Sequence, residues 1–239
     1  MNRSAATRVV VIDPHTLFAE CLCLVLEQRG HHAVHVAPPT RAGSVAVQLA
    51  PILRERPEIA IVDVAPGPGP DRISLVHPLR LAGVHVVVVT GETDPVRWGQ
   101  ALSLGARVVL SKQAPLTSVA AAVRRLHEGL RTMDVEQRRE LLGAYRAQSR
   151  ERGAERERLE TLSVRESEVL SHLVLGRPVA EIARLGFVSE ATVRTQVKSV
   201  LTKLDVSSQL AAVAVAHRTG WVPCDVARSG AGLRTPAAS

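Results

Sequence analysis

The sequence has few aromatic residues and few cysteines. Only five of its 239 residues are Phe, Trp or Tyr, so a ligand pocket lined by aromatic side chains is not expected. The three cysteines, Cys21, Cys23 and Cys224, cannot form a disulfide framework. Cys21 and Cys23 fall on different faces of a helical pattern, which favours buried or half-buried thiols in a reducing cytosol.

Long apolar runs are also missing. No uninterrupted stretch approaches the roughly 18 apolar residues of a membrane-spanning helix, and the amino terminus lacks a charged segment followed by an apolar one. The sequence therefore predicts a cytoplasmic protein with no membrane partner.

Basic residues exceed acidic ones. Lys and Arg number 30 against 23 Asp and Glu, which gives a formal charge of +7. Such an excess indicates an anionic partner, but it does not distinguish DNA from RNA or a membrane surface. A hydrophobic share of 46% and a charged share of 22% are ordinary for a globular protein.

The first 128 residues alternate short β-branched runs with helical patterns. The runs are continuous in apolar residues, which indicates strands buried on both faces of a parallel sheet. We expect an α/β domain with a doubly wound, five-stranded parallel sheet. The predicted strands are 9–12, 33–36, 59–62, 85–89 and 107–110, and the predicted helices are 16–28, 41–55, 72–81, 95–104 and 116–127.

Residues 129–160 have a different character. Eight Arg and seven Asp or Glu crowd this stretch, and their mixed charges can pair four residues apart on a helix. The pattern favours a solvated helical linker, with a dimer-forming helix as the alternative.

From residue 161 to 221 the pattern is purely helical and predicts a four-helix domain. Ser163 and Glu166 have the spacing of a capping box at the first helix start. The remaining stretch, residues 222–239, is rich in Gly, Ala, Ser and Pro and is predicted to be disordered.

The third of these helices combines an apolar stripe with a basic face. Its apolar side chains recur at helical spacing, whereas Arg194, Thr195 and Lys198 fall on the opposite side. Arg and Lys donate to guanine, and the Thr methyl group suits thymine, so this face is suited to a major groove. Ser189 would cap the helix beside a phosphate. The alternative is an amphipathic bundle helix with ordinary exposed charges. The residues of the apolar stripe on this third helix are Val193, Val197, Val200 and Leu204.

Residues 160–221 closely resemble the LuxR-type helix-turn-helix. The resemblance rests on 162–170, Gly176, 181–185, 188–197 and 201–204. It implies that Arg194, Thr195 and Lys198 contact base edges and that Lys203 lies near the DNA backbone. Ser189 and Thr192 complete the expected DNA-binding set. Gln196 replaces a His that is common in the family, and 177–179 replace a more polar turn.

In an open α/β sheet, the residues that bind ligands or react lie at the carboxyl ends of the strands. Those ends supply Asp13, Asp63, Thr90 and Lys112. Asp63 is a candidate phosphoryl acceptor, and Asp13 and Asp63 are candidate Mg²⁺ ligands. Thr90 and Lys112 are placed to contact the phosphate.

This arrangement over residues 8–128 resembles the receiver domain of bacterial response regulators, and the whole chain resembles the NarL/FixJ class. The likeness is carried by 10–13, 15, 17–18, 57, 61–63, 66–67, 89–90, 101–102, 105–106 and 110–112. The resemblance implies that a histidine kinase phosphorylates Asp63.

Two positions depart from the receiver pattern. Pro14 replaces the second acid that follows the first strand in the family, where it is generally a direct Mg²⁺ ligand. Val109 replaces the aromatic residue of the fifth strand that usually reports phosphorylation. We expect any Mg²⁺ to bind with low affinity and the receiver to be atypical.

The sequence thus predicts a homodimeric, DNA-binding transcriptional regulator that is not an enzyme. Its receiver-like domain would control dimerisation or DNA binding independently of phosphorylation; the alternative is a conventional phospho-activated regulator. A phosphatase using Asp63 as nucleophile is a remote alternative, because Ala65 stands where such enzymes carry a second acid. A quorum-type sensor would need a ligand pocket lined by aromatic residues, and this sequence has only five. A pure protein-interaction role would leave the basic face with Arg194 and Lys198 without a function.

Overall fold

The computed structural model describes residues 6–38, 44–67 and 70–222. The chain divides into two compact units between Ala147 and Gln148. The predicted disordered tail lies outside the described residues except for Val222. Within the described residues, no helix is both long and apolar enough to cross a membrane.

The first unit is built on a five-stranded parallel sheet, as predicted. The strand order is β2-β1-β3-β4-β5, so the connections wind outward in both directions from β1 and β3. The strands are β1 (Arg8–Ile12), β2 (His32–His35), β3 (Ile59–Val62), β4 (His85–Thr90) and β5 (Val108–Ser111).

Helices cover both faces of this sheet. Alternate strand residues point to opposite faces, and each face has its own buried apolar cluster, one with α1 and α5 and the other with α2, α3 and α4. The helices are α1 (Thr16–Glu27), α2 (Val45–Arg54), α3 (Val76–Leu81), α4 (Pro95–Leu104) and α5 (Leu116–His127).

Several predictions for this unit need correction. The second strand lies one residue earlier than predicted, at His32–His35, and the fifth lies one residue later, at Val108–Ser111. Residues 41–43 of the predicted second helix lie outside the described residues, and α2 begins at Val45. The stretch 72–81 is not one helix but a 3₁₀ turn, Arg72–Leu75, followed by α3. Cys21, expected to be at least half buried, is exposed, whereas Cys23 is half buried.

The charged segment forms one helix, α6 (Val135–Glu160), which begins six residues later than the predicted linker. Leu141 and Leu142 pack against the core of the first unit, and Leu159 is buried in the core of the second. The apolar side chains of α6 therefore belong to two cores, which the prediction of a solvated linker did not anticipate.

In the described part of the second unit, four helices follow α6. They are α7 (Val164–Val174), α8 (Val179–Leu185), α9 (Glu190–Leu204) and α10 (Gln209–Thr219). The predicted capping box is present, because Ser163 and Glu166 each accept a hydrogen bond from the other's backbone N–H. The predicted apolar stripe of α9 is buried in full, at Val193, Val197, Val200 and Leu204. The order of elements is therefore the α/β domain and helical helix-turn-helix domain that the sequence predicts.

Candidate functional site

The carboxyl ends of the strands bring the predicted acidic residues together. Asp13 follows β1 and Asp63 follows β3, and both are buried, at 2% and 1% exposure. Lys112 follows β5, and its ammonium group lies 2.7 Å from Asp13 Oδ2 and 3.2 Å from Asp63 Oδ2. One lysine thus bridges two buried carboxylates.

Thr90 lies at the end of β4 and is fully buried. Its hydroxyl oxygen accepts a hydrogen bond from the backbone N–H of Glu92 at 3.1 Å. The hydroxyl thereby orders the turn that follows β4.

Arg72 is the residue of this site that the sequence reasoning missed. Its side chain is buried, and its Nε donates to the backbone oxygen of Asp63 at 2.7 Å. One terminal nitrogen donates to Asp63 Oδ2 at 3.2 Å and to the backbone oxygen of Ala65 at 2.8 Å. The guanidinium group therefore joins the phosphoacceptor candidate to the loop that follows it.

A signal for this role was present in the sequence. Arg72, Val76 and Leu79 recur at the i, i+4, i+7 spacing of one helix face, and all three are buried. Arginine on a buried face is rarely left without an acidic partner, because an unpaired buried charge is costly. The nearest strand-end carboxylate, Asp63, is the partner that this pattern requires.

The pocket is electrically balanced by the protein alone. Two carboxylates, Asp13 and Asp63, face two cations, Arg72 and Lys112. A buried ion pair is costly to break from one side, since the remaining charge stays buried without a partner. These four residues are called here the acidic pocket. We expect the substitution of any one of them to destabilise the fold, because a buried charge would lose its partner.

The acidic pocket does not fit a magnesium ion. Mg²⁺ requires near-octahedral coordination by oxygen atoms. However, Asp13, Asp63 Oδ2 and the backbone oxygen of Ala65 already accept bonds from Lys112 or Arg72, and Asp63 Oδ1 accepts one from the backbone N–H of Ala65. Pro14 adds no ligand. The predicted Mg²⁺ ligands are thus brought together, although their oxygen atoms are engaged by Lys112, Arg72 and the backbone N–H of Ala65.

His15 completes a trio with Asp13 and Asp63 whose ligand atoms all lie within 4.8 Å of one another. Its Nδ1 lies 3.1 Å from Asp13 Oδ1 and 3.2 Å from the Lys112 ammonium group. His15 is exposed, in contrast to the two carboxylates. The imidazole is therefore the exposed group beside the two buried carboxylates.

Val109, which stands in place of the usual aromatic residue, is buried in the core beside the sheet. An apolar side chain of this size fills the core without a polar end that could reach the acidic pocket. The fifth strand thus carries no aromatic residue that could change orientation with the state of Asp63.

The second candidate surface is the outer side of α9. Arg194 and Lys198 are one helical turn apart and both exposed, and the Arg194 side chain is 70% exposed. Arg194 pairs with Glu190 at 2.9 Å, four residues earlier. Within the described part of the chain, no ion pair or hydrogen bond holds the Lys198 ammonium group. We call Ser189, Thr192, Arg194, Thr195 and Lys198 the α9 face.

The smaller polar residues of the α9 face are engaged with their own helix. Ser189 accepts a hydrogen bond from the backbone N–H of Thr192 at 3.1 Å, as the predicted cap requires. Thr195 donates its hydroxyl to the backbone oxygen of Ala191 at 3.0 Å. The methyl group of Thr195 is therefore the part that remains for an apolar contact.

Lys203, expected near the DNA backbone, is occupied within its own domain. Its ammonium group lies 2.7 Å from Glu166 Oε2 and donates to the backbone oxygen of Thr161 at 3.1 Å. Ser199 donates a second bond to Glu166 at 2.6 Å. These bonds hold the pKa of Glu166 at about 2, well below its usual 4.5, the bond from Lys203 having the largest effect.

A receiver-like α/β unit followed by a helix-turn-helix unit defines the class of response regulators with a DNA-binding output domain. The family described as "Bacterial regulatory proteins, luxR family" matches residues 160–216.

Similar proteins extend the match to most of the chain. The "Probable transcriptional regulatory protein NarL" of Mycobacterium tuberculosis is 32% identical over 213 residues, which cover 88% of this chain and 94% of that protein. The transcriptional regulatory protein LiaR of Bacillus subtilis is 27% identical over 217 residues, covering 90% and 99%. The solved structure of the response regulator ChrA, from a heme-sensing two-component system, is 26% identical, covers 91% and 100%, and has a TM-score of 0.46. The chain belongs to the family of NarL-type response regulators, which are DNA-binding transcriptional regulatory proteins.

Proposed function

We propose that the chain is a cytoplasmic transcriptional regulator that binds duplex DNA as a homodimer through the α9 face. The observation that carries this proposal is the exposure of Arg194 and Lys198 one turn apart, above a fully buried apolar stripe. Guanidinium and ammonium groups at that spacing can donate to guanine in the major groove. Helix-turn-helix dimers contact two half-sites about one helical turn apart, so the target is expected to be a paired site.

The substitutions Arg194→Ala and Lys198→Ala test the α9 face. Each should weaken binding to a target fragment by about tenfold or more, because a good base contact contributes about 1–3 kcal/mol of discrimination. Melting temperature should not change, since both side chains are exposed. Electrophoretic mobility shift against genomic fragments, with sequencing of the bound fraction, supplies the measurement.

Arg146→Ala is the matched control, because it removes one exposed positive charge outside the helix-turn-helix unit. It should leave target affinity nearly unchanged. Equal losses in Arg146→Ala and Arg194→Ala would indicate non-specific attraction and reject the α9 face as the reading surface.

The receiver-like unit, in this proposal, controls dimerisation or DNA binding without phosphorylation of Asp63. The support comes from the acidic pocket, where Arg72 and Lys112 already neutralise both carboxylates. A substitution of Asp63→Asn should then leave expression from a target promoter unchanged in cells. Immunoblots must show equal protein levels, since the substitution removes one charge from a buried network.

The second candidate is a conventional regulator that a histidine kinase phosphorylates on Asp63. The observation in its favour is that the carboxyl ends of the strands bring Asp13, Asp63 and Lys112 together. Loss of regulation in Asp63→Asn, with normal protein levels, would establish this alternative.

A phosphatase is the least supported function. Ala65 offers no acid beside Asp63, and its backbone N–H and oxygen bond to Asp63 and Arg72. Hydrolysis of a generic aryl phosphate that disappears in Asp63→Asn would be the evidence for such an enzyme.

A further inference from the structure

We infer that Arg72 is a tethered cation that takes the place of a divalent metal ion in the acidic pocket. The inference deepens the proposed control without phosphorylation. Only its consequence for regulation rests on that proposed function. The tether itself is a matter of geometry, and it is tested by metal binding rather than by DNA binding.

The bonds of Arg72 involve the oxygen atoms that a hard cation would need. A single terminal nitrogen of its guanidinium group contacts both Asp63 Oδ2 and the backbone oxygen of Ala65. Its Nε fixes the guanidinium plane through the backbone oxygen of Asp63. Carboxylate and carbonyl oxygens are also the ligands of Mg²⁺ and Ca²⁺, so Arg72 and a metal ion compete for the same atoms.

Charge makes this competition one-sided. With Arg72 and Lys112 present, the two buried carboxylates are already neutralised. A divalent ion would add two positive charges beside two existing cations, next to carboxylates that are almost fully buried, where repulsion between charges is strong. Because Arg72 is part of the chain, it occupies the oxygen atoms of Asp63 and Ala65 whatever the metal concentration is.

The tether also restrains the backbone. Arg72 begins the 3₁₀ turn before α3 and at the same time holds the two residues around the end of β3, Asp63 and Ala65. The Arg72 side chain thereby joins the described residues 63–65 directly to the 3₁₀ turn.

Paramagnetic broadening by Mn²⁺, a substitute for Mg²⁺, tests the inference on the full chain by backbone NMR. The wild-type protein should show no saturable broadening at the amides of Asp13, Asp63 and Ala65. Arg72→Ser should gain saturable broadening there, at least about tenfold stronger than any broadening of the wild type at the same Mn²⁺ concentration, because a positive charge that repels the metal has left the pocket. Asp63→Asn/Arg72→Ser should lose the gain.

Arg97→Ser is the matched control. Arg97 is a neighbouring arginine that bonds to the backbone oxygen of Val64 and to the carboxylate of Asp71, and neither of these acceptors belongs to the acidic pocket. It should behave as the wild type does towards Mn²⁺.

Two results would overturn the inference. One is saturable, site-specific Mn²⁺ binding to the wild-type protein, which decides the matter even if Arg72→Ser fails to fold. The other is a folded Arg72→Ser that binds Mn²⁺ no better than Arg97→Ser does. Neither result bears on the Asp63→Asn promoter test, so the two proposals fail separately.

Discussion

Lysine is scarce in this chain, and each of its three lysines serves a distinct electrostatic purpose. Lys112 bridges Asp13 and Asp63, Lys203 pairs with Glu166, and Lys198 is exposed on the α9 face. Two of the three therefore hold the folded protein together. Lys112 is partly buried, at 16% exposure, whereas Lys198 and Lys203 are both exposed.

Glu166 offers a stability test at the scale of one residue. Its pKa is lowered to about 2 in the folded protein, so its contribution is complete above about pH 4.5 and is lost as the pH falls towards 2. Glu166→Gln should lower the unfolding free energy by about 1–2 kcal/mol at neutral pH. This is the contribution of a hydrogen bond to a charged group, reduced because the Lys203 side chain is exposed and solvent screens the pair. The deficit should shrink between pH 4.5 and 2.

Chemical denaturation at several pH values measures this effect. Glu168→Gln is the control, since Glu168 forms an exposed pair with Arg165 on the same helix. A deficit of Glu166→Gln that is constant from pH 7 to 3 would contradict the assigned role of the carboxylate charge.

At the scale of helices and strands, the contact between α4 and α6 depends on a glycine. A Cβ atom placed on Gly99 would lie 2.0 Å from the backbone oxygen of Leu141 and 2.8 Å from Tyr145 Cβ. Gly99→Ala should therefore displace the first half of α6 from the first unit, because a backbone atom cannot move aside cheaply. Hydrogen exchange at residues 135–147 should become faster.

Gly143→Ala is the control for this prediction. Gly143 lies on α6 itself, and the space that an added Cβ atom would occupy is open, so alanine should slow exchange slightly through its higher helix propensity. Unchanged exchange in Gly99→Ala would contradict the close packing of the two helices.

Local patterns predicted most of these elements. The helix α5 was predicted at its observed bounds, 116–127, and the Ser163–Glu166 capping box was found because it depends on residues three apart. The predicted α9 stripe is buried for the same reason. Strand and helix periodicities are properties of a few consecutive residues, and the sequence displays them directly.

Long-range pairings were the part that periodicity did not predict. The predicted helix 72–81 begins as a 3₁₀ turn, and in that turn Arg72 bonds to Asp63, nine residues away. Lys203 pairs with Glu166, which lies 37 residues away in the chain, and the resemblance that places Lys203 near the DNA backbone did not indicate this partner. Such contacts depend on the assembled fold, although the buried-face spacing of Arg72 could have indicated that it needs an acidic partner.

For the whole molecule, two compact units share one charged helix. The apolar residues of α6 lie in separate cores, Leu141 and Leu142 in that of the first unit and Leu159 in that of the second. The acidic pocket and the α9 face belong to different units. Any control of DNA binding by the first unit therefore has to be measured on the complete chain.

The most direct test treats the full-length protein with acetyl phosphate and Mg²⁺, then records its intact mass and its affinity for a target DNA fragment. Because the acidic pocket is neutralised from within, the account predicts no phosphoryl adduct and no change in affinity. A phosphoryl adduct that is absent in Asp63→Asn and that tightens DNA binding would contradict it.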